Sequence, residues 1–203
     1  ATYDLNGPRE RQTEQLKALG CHIKSLDLIH AAPGIVELRD AVESSDIILV
    51  SGGNTLFAVD RWKRLGLDNL LQQAMLRGAA LAGGSAGAIC WFSAGHSDSM
   101  DPDTYKTAML QAAAADSTRT TTKSADESSA VPTSACEAKE WEYIRIPGLN
   151  FLPGLVCPHH DKVQSNGVLR AMDFDQMLLR HPEELGIGID HWAALELNNG
   201  RYR

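Results

Sequence analysis

Gly83-Gly84-Ser85-Ala86-Gly87 sets a single hydroxyl among small residues, directly after a short apolar run. The spacing fits G-x-S-x-G, in which small neighbours let the backbone turn sharply from strand to helix and hold the serine out toward a substrate. A protonated serine is a poor nucleophile and needs a base within hydrogen-bond reach. Imidazole suits that task near neutral pH, and a carboxylate ordinarily orients it. His159 and His160, in "GLVCPHHD", follow an apolar run that reads as a strand. That position favours them over His22, His30 and His181, whose settings read as structural or solvated, and over His191, which reads as an exposed turn residue. Asp98, Asp101, Asp161 and Asp190 all lie beyond strand or helix ends, where most aspartates form turns, and position alone does not choose among them. "SGGNT" (51–55) offers the N–H of Gly53 as an oxyanion donor, and the N–H of Ala86 at the start of a helix is the second. Asn54 in the same turn and His96 near the elbow are candidates for touching substrate. "CPHHD" puts possible metal ligands side by side, but no second cluster at metal spacing accompanies it, so neither a metal nor a cofactor is expected.

These groups meet only if the elements carrying them share one edge. Residues 8–20 read as a helix between Pro8 and Gly20. "CHIKSLDLI" alternates as a half-buried strand does, and "GIVELRDAVESS" reads as a helix. "DIILV" (46–50) is a continuous apolar run, the signature of a parallel strand covered on both faces. Helices follow to about Arg64 and over 67–78, and the strand "AALAG" leads into the elbow. "SNGVLRAMDFDQMLLRHPEE" is an amphipathic helix with Leu169, Met172, Met177 and Leu178 inward. "LGIGIDHWAALELNNGRYR" reads as strand, turn, strand and an Asn-Asn-Gly turn, with these last strands forming an antiparallel edge. Strand–helix alternation of this kind predicts an α/β domain with a mostly parallel sheet, and ligands of such sheets lie at the carboxyl ends of the strands. Residues 106–140 break the pattern. Rich in Ala, Ser and Thr and nearly free of large apolar side chains, they read as a surface insertion in one domain covering 1–203.

A chain of 203 residues with 43% hydrophobic and 22% charged residues has the balance of a globular domain with its own core. Its net charge of −7 argues against nucleic acid or an anionic membrane as the main partner. No apolar run reaches bilayer length. Cys21, Cys90, Cys136 and Cys157 are scattered without a C-x-x-C pair, the usage of a reduced, cytoplasmic setting. An α/β domain ordinarily begins with a strand, so the turn-like "ATYDLNGP" predicts further chain ahead of residue 1.

"DIILVSGGNTLFAVDRWKRLGL", "MLRGAALAGGSAGAICWFSAGHSDS", "GLVCPHHD" and "ELGIGIDHWAALEL" together resemble the peptidase E family, the dipeptidase E and cyanophycinase group of serine peptidases. The resemblance covers most of the chain outside 106–140 and is nearest to the "SAGAICWF" branch. It implies a three-layer α/β/α sandwich like that of class I glutamine amidotransferases. It implies Ser85 as nucleophile, His159 as base with His160 second, Asp98 as the acidic third member, and Gly53 and Ala86 as oxyanion donors. It also implies a strand–helix–strand unit before residue 1 and a short peptide as substrate; the sequence leaves the oligomeric state open, a homodimer among the options. The arginine with which aspartyl dipeptidases of the family hold an N-terminal aspartate has no counterpart in "AICWFSAGHSD", although His96 or Arg170 could substitute in part. An α/β-hydrolase-type esterase and a non-catalytic peptide-binding protein remain as alternatives. The first shares the elbow but ordinarily needs a longer stretch between serine and histidine.

Overall fold

The computed structural model describes residues 7–29, 31–102, 141–164 and 166–203. The expected insertion at 106–140 lies outside the described residues. Helix α1 (Gly7–Ala18) is followed by an irregular segment and α2 (Ile35–Glu43). Strand β1 (Ile47–Val50) leads into α3 (Thr55–Leu65) and α4 (Leu67–Arg77). Gly66, in the left-handed region at φ 71°, both ends α3 and begins α4. Strand β2 (Ala80–Gly83) turns at Ser85 into the short α5 (Ala86–Ile89), and β3 (Phe92–Ser97) follows at once. After residue 140 come β4 (Ile144–Pro147), β5 (Leu152–Pro158), α6 (Arg170–Arg180) and β6 (Gly186–Ile189). The hairpin β7 (Leu197–Asn198) and β8 (Arg201–Tyr202) closes the chain.

β1 and β2 pair in parallel, with Val50 opposite Gly83. A second sheet has the order β4-β3-β5-β6. In it β3, β5 and β6 run parallel and β4 is the antiparallel edge. Side-chain alternation along β5 sorts the core into two layers. Val156 faces a cluster with Leu38, Val59, Trp62, Leu71 and Ile89, drawn from α2 to α5, and Trp91, which follows α5. Leu155 and Cys157 face Ala94, Phe174 and Met177, the last two from α6. Helices therefore cover both faces, the layering of an α/β/α sandwich. Through α5, which packs on β1, β2, β3 and β5, the two sheets share one core.

Several expectations change. Residues 21–28 form no strand. They lie along the helices instead, held by the Arg61 side chain, which donates to the carbonyls of Leu28 and, at 2.8 Å, Ala31. Alternation marks a surface suited to half burial, but a strand also needs a neighbour to pair with. β1 is covered on one side only, because Ile47 and Leu49 are exposed. On α6 the buried residues are Arg170, Phe174 and Met177, at i, i+4 and i+7, and Leu178 packs beside them as expected, whereas Met172 points to solvent. The antiparallel edge comes from β4 rather than from the C-terminal strands. β6 pairs in parallel with β5, and β7–β8 stand apart as their own hairpin around Asn199-Gly200. β3, unread in the sequence, is central and almost wholly buried.

Candidate active site

The ends of the parallel pair β1 and β2 meet at Ser85. Gly84 N–H donates to the Val50 carbonyl at 3.1 Å, carrying the β1–β2 ladder one residue past both strands. The next residue, Ser85, has φ 55° and ψ −121°, a conformation residues with a Cβ rarely adopt. The glycines on either side make it attainable. A Cβ on Gly83 would run into the Gly87 carbonyl, and one on Gly87 into the Val50 carbonyl. Both atoms are backbone and cannot swing away, so G-x-S-x-G here is a packing requirement of a helix start pressed against two strands. The loop after β1 closes over the serine. A Cβ on Gly52 would lie 3.1 Å from Ser85 Cβ and 3.6 Å from its Oγ. Gly53, at φ 138°, follows directly. Ala86 is the first residue of α5, so its N–H has no intrahelical acceptor and points outward at the positive end of the helix.

The third strand end is that of β5. His159 follows Pro158 with φ 53°, a second non-glycine residue in the left-handed region. Its Nδ1 lies 3.1 Å from Nδ1 of His191, which follows β6, and the rings are 5.3 Å apart between centroids. Asp161 fixes that turn by accepting from the His191 N–H at 2.7 Å, which holds the Asp161 carboxyl below its ordinary range. His160 turns away to face Asp190, with Nδ1 3.3 Å from Oδ1. Burial lowers the proton affinity of His159, and the charges of Arg170 and His191 lower it further. Asp98 and Asp161 pull the other way. The net direction leaves His159 an uncharged imidazole at neutral pH, the form a general base needs.

Asp98 follows β3, whose register with β5 pairs Gly95 with Val156. The Asp98 carboxylate charge favours the protonated form of His159. Among the described residues no hydrogen bond joins His159 to Asp98, and none joins Ser85 to His159. Catalytic hydrogen bonds often tighten only when substrate is bound. Ser97 and Ser99, on either side of Asp98, are both fully buried and bond to each other at 2.8 Å through their hydroxyls.

The two residues expected to touch substrate are engaged elsewhere. The buried Asn54 side chain caps α3, accepting from Phe57 N–H at 3.0 Å, and donates to the Ser99 carbonyl at 2.9 Å. His96 is fully buried. Its Nε2 meets Asp173 Oδ2 at 2.6 Å, and its ring stacks on Tyr143 with centroids 4.5 Å apart. Burial pushes its proton affinity down against the pull of Asp173. Arg170, 1% exposed, donates to the His96 carbonyl at 2.8 Å and lies 4.9 Å over the Tyr143 ring. Cys90 and Cys157 are buried, and burial pushes each thiol up to about 12, so neither is a thiolate near neutral pH. Among the described residues no cluster of His, Cys, Asp or Glu could hold a metal ion, and no helix is long and apolar enough to cross a membrane.

The pairing of His159 with His191 was missed in the sequence. The signal existed. "CPHHD" and "GIDHW" both close apolar strands, and parallel neighbours end together.

Compared with known families, residues 4–203 match Peptidase family S51. The chain belongs to that family. An "uncharacterized peptidase YgaJ" of Bacillus subtilis (strain 168) is 40% identical over 199 residues, covering 98% of this S51 chain and 66% of the relative. A Trypanosoma brucei brucei protein called "G2/mitotic-specific cyclin-1" is 32% identical over 216 residues, covering 100% of the chain and 60% of that protein. The S51 chain thus spans less than two thirds of the length of either. A solved structure from Listeria monocytogenes EGD-e, assigned to peptidase E, superposes with a TM-score of 0.57 at 19% identity, over 99% of this chain and 78% of that one. At that identity the likeness concerns the fold, which is the class I glutamine amidotransferase-like α/β fold.

Proposed function

We propose that this S51 chain is the catalytic part of a serine exopeptidase that cleaves short peptides, dipeptides among them, through an acyl-enzyme on Ser85. The observation that carries the reading is the strained backbone of Ser85 at the head of α5, with the Gly52-Gly53 turn against its side chain. A non-glycine residue persists at such angles only where its surroundings impose them, and these sites cluster where chemistry is done. Family membership and the peptidase relatives support the same reading.

In this mechanism His159 takes the proton of Ser85 as Oγ attacks the scissile carbonyl. The N–H groups of Gly53 and Ala86 face the oxygen that becomes negative in the tetrahedral intermediate. Asp98 supplies negative charge beside the imidazolium. His159 then protonates the leaving amine, and water, deprotonated by the same imidazole, releases the acid. With their thiols protonated, Cys90 and Cys157 do not compete as nucleophiles.

Intact-mass labelling with a fluorophosphonate tests this directly, followed by turnover of a dipeptide panel set against aryl esters. Wild type is expected to gain one adduct, and Ser85→Ala none. Turnover by that variant should fall by several orders of magnitude, on the scale of ~10⁶ for a triad nucleophile elsewhere. Near-normal hydrolysis by Ser85→Ala rejects the assignment, and a preference for aryl esters over every dipeptide rejects the peptidase reading.

A further inference from the structure

We infer that His191 is the positioning partner of the base: its Nδ1 lone pair accepts a hydrogen bond from Nδ1–H of His159 and so fixes His159 in the tautomer whose Nε2 is free to take the serine proton. The inference rests on the Ser85–His159 reading above.

Two imidazole nitrogens 3.1 Å apart require one proton between them. With no proton there, two lone pairs face each other, and with two protons, two N–H groups collide. If the proton is on His191, Nδ1 of His159 is the acceptor and its Nε2 carries hydrogen, which makes it useless as a base. If the proton is on His159, Nε2 is bare. An orienting carboxylate ordinarily makes this choice for a catalytic histidine. Here Nδ1 is occupied by His191, and Asp98 makes no hydrogen bond to the ring, so its carboxylate acts through charge alone.

His191 is held at its backbone and at its ring. Asp161, beyond β5, accepts from the His191 backbone N–H at 2.7 Å. Trp192 meets the ring edge-on, with centroids 4.7 Å apart. On its own turn Asp190 is engaged by His160 at 3.3 Å, and Asp161 shares the solvent side. Across the pair, Arg170 and Asp98 act on His159 with opposite signs. When His159 takes the serine proton it keeps Nδ1–H directed at His191, which must then be neutral.

The test compares His191→Gln, whose side-chain oxygen can accept from His159 without titrating, with His191→Phe, which keeps a ring and offers no acceptor. The rate of fluorophosphonate labelling is followed against pH on the full chain. Gln is expected to keep labelling within a few-fold, with little movement of its acid limb, because the acceptor for Nδ1–H remains. Phe should slow labelling roughly ten- to hundredfold, the usual scale for losing an orienting partner, and shift the acid limb to lower pH, because the imidazolium loses its acceptor. Equal effects of Gln and Phe with an unmoved pH profile would show a merely structural role and overturn the inference while leaving the Ser85 reading intact. Failure of the wild type to label would remove that reading and this inference with it. Nitrogen-15 spectra of the imidazoles give a readout free of activity. Near neutral pH they should show His159 Nδ1 protonated and His191 Nδ1 bare, and the reverse assignment overturns the inference whatever the labelling does.

Discussion

Ser85 and His159 share a backbone feature that neither side chain predicts: both sit at positive φ, 55° and 53°. Each lies within two residues of the end of a parallel strand, where the chain must turn at once. Strain of this sort costs of order 1–3 kcal/mol per residue and is tolerated where surrounding packing imposes it. The histidine's environment is tuned as well as its geometry. Burial and the charges of Arg170 and His191 hold His159 below the ordinary imidazole value of about 6.5, so the base stays uncharged to lower pH than a solvated histidine would. The acid limb of kcat/KM should accordingly lie below that value. Replacing Arg170 with Met removes one of the charges opposing protonation, so that limb should move to higher pH. The measurement is kcat/KM against pH, with thermal unfolding run alongside because Arg170 also holds the His96 carbonyl and Tyr143. An unmoved limb in a folded variant would mean that the Arg170 charge does not reach the base.

At the scale of elements, the site is assembled by caps and clasps more than by strand pairing. Asn54 terminates α3 and at the same time grips the turn after β3, and Leu56 N–H returns a bond to the Ser99 hydroxyl at 3.2 Å. That turn carries Asp98 between two buried serines. Asn54→Ala should cost about 1–2 kcal/mol, the worth of a lost N-cap plus an orphaned buried acceptor, read as a lowered denaturant midpoint. Asn54→Asp keeps the cap but loses the donor to Ser99. It should recover the helix-cap part of the stability and still slow turnover, since Asp98 is no longer held. Equal turnover by Asn54→Asp and wild type would mean that the clasp has no bearing on Asp98.

Across the whole molecule, one core joins the two sheets through α5, and beside it lies a polar cluster of the buried His96, Tyr143 and Arg170 with the half-buried Asp173. Burial makes stability depend on pH with a definite sign. His96 and His159 both bind protons less readily folded than unfolded. Their contribution is therefore fully present above the unfolded imidazole value of about 6.5 and is lost as pH falls from there toward the folded values. Denaturant midpoints should be highest near neutrality and decline below about pH 6, and a midpoint that rose on acidification would contradict this accounting.

Much of the architecture was legible because it is local or periodic. The helices over 35–43, 55–65 and 67–77 follow from apolar spacing with Gly and Asn at their ends, and the elbow follows from a five-residue pattern whose glycines have a steric purpose. Among the site candidates, Ser85 and Ala86 come from the elbow pattern and His159 from its place after an apolar run, whereas Asp98 is singled out from four aspartates only by the resemblance to peptidase E. What the tertiary structure decided is which groups meet. β3, made of "FSAGHS", has little strand propensity, and becomes a buried central strand only because β4 and β5 flank it. Its burial removed His96 from the surface. The register of β5 with β6, set by packing across the sheet and by no local signal, carried a histidine that reads as a turn residue to 3.1 Å from the base. Periodicity reports which face of an element is buried, and only the pairing of distant strands reports whose side chain is waiting at its end.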